Sequence, residues 1–468
     1  MDCEKTKAEF LKEKLFSVKK NAYLEMSENE IDEAYDFCEG YKDFLTKAKI
    51  EREFVTETIA RAQQMGFSEF DRSRKYAPGE KFYVVNRGKA VILCVMGSRP
   101  LTDGIRLTAA HIDSPRLDLK QHPLYEDKEI ALFKTHYYGG IKKYQWSTVP
   151  MSLHGVVIRE DGTSVDVNIG EDEGDPQFCV CDLLIHLADE QMKRPAAKVI
   201  TGEELNLLVG SRPFKDDKAS ELVKLNILNI LNEKYGIIED DFISAELEAV
   251  PAYKAADVGF DRSLIGGYGQ DDKVCAYTQL EAIMEIDKPA YTCCAVFADK
   301  EEIGSTGNTG LESSFLKYFI YRLADAYGLS GIDVISATEA LSADVNAAFD
   351  PTFPDPIDIR NGAKLNYGVC VTKYTGARGK SGTSDASAEF VGKVRKLLND
   401  GNVKWQTGEL GKVDAGGGGT VAMYLANLDI DVIDVGVPVL SMHSPFEITS
   451  KIDTYMAYKA FKCFFEER

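Results

Sequence analysis

Apolar runs that stop abruptly at charged residues recur along this chain. The sharpest is Tyr291 to Ser305, YTCCAVFADKEEIGS. Cys293, Cys294, Ala295, Val296 and Phe297 lead into Asp299, Lys300, Glu301 and Glu302, and then Ile303, Gly304 and Ser305 turn the chain away. A short apolar run without alternation predicts a strand buried on both faces. In open α/β sheets, ligands gather at the carboxyl ends of such strands. Two adjacent acids there need a proton or a cation. Neighbouring side chains on an extended segment point opposite ways, which would let one glutamate hold a metal while the other faces a bound water. Taken alone, D-K-E-E-x-G reads more simply as a charged turn.

The rest of the pattern supplies a frame. Residues 4 to 66 carry apolar positions at helical spacing (Phe10, Leu11, Leu15; Ile31, Ala34, Tyr35, Cys38) and predict two or three helices. Lys81 to Asn86 and Ala90 to Met96 predict a hairpin about a two-residue Arg87-Gly88 turn. Arg106 to Ile112 predicts a strand that carries His111 at its end. From about Pro115 to Pro251 the texture changes to strand-like runs between turns, such as Leu153 to Ile158 and Ser164 to Ile169, with helices expected over Cys181 to Lys193 and Glu221 to Tyr235. Similar strands on both sides make this stretch read as an insertion: a first domain of residues 1–114 and 251–468, interrupted by residues 115–250. After Asp257, strands and helices alternate. Helices are expected at Val274 to Ile286, Gly310 to Tyr327, Ser384 to Leu398, Ala422 to Leu428 and Ile452 to Phe465. Strands are expected at Thr292 to Ala298, Ile332 to Leu341 and Asp431 to Val437. Such alternation predicts α/β layers about a mostly parallel sheet.

Composition narrows the function classes. A chain of 468 residues with 44% hydrophobic and 28% charged positions has room for two soluble domains. Its net charge of −20 argues against a nucleic-acid backbone or an anionic membrane surface as partner. No run of about 18 apolar residues suggests a membrane span. The N-terminus, MDCEKTKAEFLKEK, lacks a signal-peptide apolar core, so a cytoplasmic location is expected. The ten cysteines are scattered, many in apolar runs, as suits reduced thiols. Cys179 and Cys181 have no second pair with which to make a structural zinc site.

Four further stretches share the opening motif's character. RLTAAHIDS ends in His111 and Asp113. GGYGQDDKVCAY places Asp271 and Asp272 between a glycine-rich turn and a helix. EALSADVNAAFDP places Asp344 after a strand, and VGVPVLSMHSPFE places His443 likewise. Each alone has a plain reading as a core histidine, a helix cap or a loop residue. Together, two histidines, strand-end carboxylates and a Glu-Glu pair supply the mixed nitrogen and oxygen ligands that a pair of zinc ions uses. Asp113, two residues after His111, lies on the same strand face and is placed to orient the imidazole.

HIDSPRLDLK, GQDDK, DKEEIGS, SADVNAAFDP and MHSP match in order and spacing the motifs of the aspartyl aminopeptidase family of dinuclear zinc metallopeptidases. The similarity runs from about Phe10 to Phe465. The resemblance implies a three-layer α/β/α zinc-peptidase domain with an inserted, β-rich dimerisation domain. It implies an aminopeptidase acting on short peptides with two divalent ions per subunit, zinc first, with manganese or cobalt also acceptable to such ligands. His111 and Asp344 resemble the ligands of one ion, and His443 and Glu302 those of the other. Asp271 resembles the bridging carboxylate with Asp272 as its neighbour, and Glu301 the general base. Lys364 and the backbone of Gly417 and Gly418 resemble substrate-binding positions. His186 resembles a histidine lent to a neighbouring subunit's site. The family's tetrahedral dodecamer is the implied assembly. Asn346, Ala347, Phe349 and Asp350 stand where eukaryotic members are histidine-rich, and Gly269-Gln270 where they carry an arginine. The pattern therefore resembles the bacterial branch, and the preference for acidic N-terminal residues stays open. Two other readings remain: a two-metal deacylase of N-acyl amino acids, and a non-catalytic assembly protein on the same fold.

Overall fold

The computed structural model describes residues 5–216, 218–376 and 378–468. Its centre is a nine-stranded sheet. In spatial order the strands are Ser68–Glu69, Lys81–Asn86, Ala90–Val95, Thr292–Ala298, Ile105–His111, Glu339–Ser342, Asp431–Gly436, Val369–Thr372 and Trp405–Thr407. Four adjacent strands, Thr292–Ala298 through Asp431–Gly436, are mutually parallel. Every residue of Thr292–Ala298 and of Ile105–His111 is buried. Alternate residues feed two separate cores. Ala295, Phe297, Leu341 and Ile433 pack with the helices Glu28–Lys47, Glu51–Gln64, Gln270–Met284, Ala388–Asp400 and Lys451–Phe465. Cys294, Val296, Ala340 and Val432 pack with Phe315–Ala326, Gly331–Ser336 and Ala422–Ala426. Helices on both faces of a largely parallel sheet make the three-layer α/β/α arrangement.

Between Arg116 and Pro251 the chain builds a second, seven-stranded sheet. Its order is Ser164–Ile169, Met151–Ile158, Ala245–Pro251, Arg116–Asp127, Ile130–Tyr138, Leu207–Gly210, Cys179–Val180, with every pairing antiparallel. It has its own core, including Leu117, Phe133, Trp146, Leu153 and Val250. A five-stranded sheet (Ala256–Val258, Leu264–Gly267, Glu447–Ser450, Pro438–Leu440, Asn346–Ala347) braces the strand ends of the first.

Some predicted elements come out differently. Ile332 to Leu341 is not one strand. Ser330 caps the helix Gly331–Ser336 by accepting the Asp333 N–H, and the strand begins only at Glu339. Cys181 to Lys193 is not one helix. It holds a 3-10 turn, Ile185–Leu187, and one α-helical turn, Asp189–Met192. Leu183, Leu184, Ile185 and Leu187 are nearly consecutive, so they cannot share one helical face, and all four are exposed. The helix expected from Gly310 starts at Phe315. Asn86 pairs with Ala90, so the hairpin connection is three residues, Arg87, Gly88 and Lys89, of which Arg87 and Gly88 take positive φ.

Candidate metal centre

The four parallel strands end on one side of the sheet, and each delivers part of the site. Ile105–His111 ends in His111 and continues to Asp113. Thr292–Ala298 leads to Asp299–Glu302. Glu339–Ser342 leads to Asp344. Asp431–Gly436 leads through Pro438–Leu440 to His443. Asp271 and Asp272 come from the start of Gln270–Met284, where their backbone is not helical.

Asp271 lies between the two histidines. Its Oδ1 is 3.1 Å from His111 Nε2 and its Oδ2 is 3.1 Å from His443 Nε2. Asp344 Oδ1 lies 3.9 Å from His111 Nε2, and Glu302 Oε1 lies 3.6 Å from His443 Nε2. His111, Glu301 and Asp344 form one group whose ligand atoms all lie within 4.8 Å of one another. His111, Asp271 and Glu302 form another.

The two glutamates diverge for a reason other than strand alternation. Lys300 takes a left-handed φ of 69°, and Glu301–Ile303 is a 3-10 turn, not extended chain. Asp113 holds that turn. Its Oδ1 accepts the Glu301 N–H at 3.1 Å and its Oδ2 the Glu302 N–H at 3.2 Å. The His111 ring meets Asp113 first at the backbone carbonyl, 3.1 Å from Nδ1, with the carboxylate at 3.4 Å. Asp113 thus orients the imidazole chiefly through its carbonyl, and its side chain serves the glutamates.

The charges are badly matched without cations. Burial, with Asp271 beside it, pushes Glu302 well above the usual carboxylate range, and burial and neighbouring carboxylates do the same to Asp344. Burial raises Glu301 to about 7 against the pull of His111. Burial also raises Asp272, and among the described residues neither of its buried oxygens has a hydrogen-bond partner, nor has Glu302 Oε1. Burial would lower His443, but Asp271 and Glu302 outweigh it and bring the imidazole up to about 10. Two imidazoles and several carboxylates with orphaned oxygens are a donor set suited to divalent zinc. The residues present fit the metal.

The profile of the aminopeptidase I zinc metalloprotease family, M18, matches residues 44–465. The chain belongs to the M18 family. It is a hydrolase of the metal-dependent aminopeptidase type. A Clostridium acetobutylicum protein named as a probable M18 family aminopeptidase 1 is 48% identical over 456 residues, spanning 95% of this chain and 97% of its own. The crystal structure of an M18 aminopeptidase from Thermotoga maritima superposes with a TM-score of 0.91 at 44% identity, covering 97% of this chain and all of that one. A more distant fold neighbour from S. cerevisiae, mApe1, is a dodecamer; it is 20% identical with a TM-score of 0.74, covering 94% of this chain and 97% of that one.

The motif residues His111, Asp113, Asp271, Asp272, Glu301, Glu302, Asp344 and His443 converge in this M18 chain. The other candidates lie on other elements and loops. Lys364 is exposed, its backbone N–H bonded to Gln406 Oε1 and its Nζ 5.4 Å from the Tyr367 ring. Gly417 and Gly418 lie half-buried in an irregular loop; in the helix that follows, the Tyr424 hydroxyl donates to the carbonyl of Gly304, two residues after Glu302, at 2.8 Å. His186 is exposed on its 3-10 turn.

Sequence reasoning missed Glu447. Its Oε1 accepts the His443 N–H at 2.7 Å and its Oε2 the Asp271 N–H at 3.0 Å, and burial raises its carboxyl to about 8. An acid four residues after His443, in MHSPFE, was the available signal. Lys273, the last residue of GQDDK, was also passed over. It is fully buried and donates to Ser114 Oγ at 2.6 Å, and that hydroxyl donates to the Asp271 carbonyl at 2.9 Å.

Proposed function

We propose that this M18 enzyme removes the N-terminal residue of short peptides at a two-ion centre bridged by Asp271. One divalent ion would be held by His111 and Asp344, the other by His443 and Glu302, with zinc the first candidate. Bound there, the ions would polarise the scissile carbonyl and bring a water's pKa from about 15.7 to about 7. Glu301 takes the proton of the attacking water and delivers it to the leaving amine. The carboxylates around the centre receive the free ammonium of the substrate, which makes an N-acylated peptide a poor ligand. The single observation supporting this reading is Asp271, whose two oxygens each face a different imidazole at 3.1 Å.

The finer roles follow in the same reading. Gly417 and Gly418 offer backbone N–H groups to the substrate, and Lys364 meets its side chain or a carbonyl. The seven-stranded sheet is the inserted dimerisation domain of residues 115–250. The protein assembles from dimers into a dodecamer in the cytoplasm, with His186 serving a neighbour's site. The exposed run Leu183, Leu184, Ile185 and Leu187 around His186 supports a surface covered by a second copy.

A hydrolysis panel tests the activity: free-amine aminoacyl substrates (Asp, Glu, Leu, Met, Lys, Ala) against their N-acetylated forms, with and without zinc, cobalt or manganese. Metal-dependent cleavage of the free-amine set alone is expected. Cleavage of the acetylated set would replace the peptidase reading with a deacylase.

A further inference from the structure

The strand Ile130–Tyr138 belongs to the second sheet, yet the chain leaving it touches the metal centre of the first at three points. The Tyr138 hydroxyl donates to Asp113 Oδ2 at 2.7 Å, and that carboxylate carries the backbone N–H groups of Glu301 and Glu302. Gly139, at φ +76°, leaves room for Glu302: a Cβ there would lie 3.2 Å from Oε2 and 3.4 Å from the Glu302 Cβ. The Gly140 carbonyl accepts a hydrogen bond from His443 Nδ1 at 2.7 Å.

We infer that Tyr138, Gly139 and Gly140 form a strap by which the second sheet sets the geometry of the metal centre, with Tyr138 a positioning residue acting through Asp113. The inference rests on the two-ion reading above. The strap is itself anchored. The Arg116 guanidinium lies 3.8 Å from the Tyr138 ring centroid and is held by Asp118 at 2.8 Å and Glu248 at 3.1 Å, both on second-sheet strands. Tyr138 and Asp113 are both buried, so bulk solvent does not readily replace the hydroxyl if it is lost. Asp113 Oδ2 serves both Tyr138 and the Glu302 N–H. Loss of the hydroxyl therefore removes one of the three hydrogen bonds that hold this carboxylate and loosens its grip on the 3-10 turn that aims both glutamates. Partners that orient metal ligands in this way affect metal binding or turnover without touching substrate.

The experiment compares wild type with Tyr138→Phe, which keeps the ring under Arg116 and removes only the hydroxyl. Zinc affinity is read by competition with a chromophoric chelator, kcat and KM on the substrate the panel identifies, and stability by melting of the metal-free protein. The expected result is a loss of about 10–100-fold in zinc affinity or kcat, with KM little changed and the metal-free melting temperature held. Gly139→Ala presses a methyl toward Glu302 and should also weaken zinc binding. Wild-type zinc affinity and kcat in Tyr138→Phe would overturn the inference, as would losses that merely track a lowered melting temperature. The zinc measurement needs no turnover, so an inactive wild-type enzyme would sink the peptidase reading while still deciding this one.

Discussion

His443 gives its Nδ1 proton to the carbonyl oxygen of Gly140, 2.7 Å away. That bond fixes the tautomer and leaves Nε2 facing Asp271 and Glu302, the disposition a metal-binding imidazole needs. His443→Ala should therefore remove one ion and spare the one beside His111. Elemental analysis after dialysis is expected to fall from two zinc equivalents per chain to one; two retained would remove His443 from the ligand set.

Glu301 is the base in the reading above, and burial raises its carboxyl to about 7. Glu301→Gln keeps the shape and loses the base. Metal content should stay at the wild-type value while kcat drops by about 10²–10⁴-fold. Normal turnover in this variant would refute the role.

Glu447 holds two of the proposed ligands at once through the N–H groups of His443 and Asp271. A glutamine keeps one acceptor and turns an NH₂ toward the other donor. Glu447→Gln should lower zinc affinity by about 10–100-fold, measured by chelator competition. Unchanged affinity would mean the two bonds do not set ligand geometry.

Asp257 carries a stability prediction. It accepts from Lys42 Nζ at 2.7 Å, Lys451 Nζ at 2.9 Å and Arg262 Nε at 2.6 Å. Burial alone would raise its carboxyl, but these cations outweigh burial and hold it below the usual range. A depressed folded pKa means stabilisation that is complete above the unfolded value of about 3.9 and lost as pH falls through the folded value. Asp257→Asn should cost about 1–3 kcal/mol near neutrality, less than for a fully buried pair because Asp257 is part-buried, Arg262 is exposed and Glu39 stays 2.8 Å from Lys42. Below about pH 4 the variant's melting temperature should depend less on pH than the wild type's. Parallel pH curves would contradict this.

Metal removal tests the crowded carboxylates. Chelation leaves Glu302, Asp272 and Asp344 buried together with only the His111 and His443 imidazoles to offset their charge. The metal-free protein should melt lower, and zinc at about 100 times its dissociation constant should return about 2.7 kcal/mol. Magnesium, which resists giving up its waters to imidazole-containing sites, should not substitute.

Much of this centre was legible before the structure because its chemistry sits where apolar runs end. His111 closes a buried strand and Glu301, Glu302, Asp344 and His443 each come shortly after one, and the strand signal survives in a short window. Asp113's bonds to the Glu301 and Glu302 N–H groups were not legible, since they span 188 and 189 residues. Tyr138 and Gly140 were hidden for the same reason: strand pairing in a separate sheet brings them to the site. Ile332 to Leu341 misled because Ile332, Val334 and Ile335 suit either a strand or a short helix, and the Ser330 cap decided for the helix. Cys181 to Lys193 misled because a leucine-rich stretch suits a helix in composition, yet Leu183, Leu184, Ile185 and Leu187 are too closely spaced to share one face and lie exposed about a turn.

A pair of ions bridged by Asp271 would show in anomalous scattering from a zinc-loaded crystal, recorded above and below the zinc edge. Two peaks about 3.5–4 Å apart are expected, one beside His111 and Asp344, one beside His443 and Glu302, with Asp271 between them. A single peak at full zinc loading, or peaks away from Asp271, would contradict it.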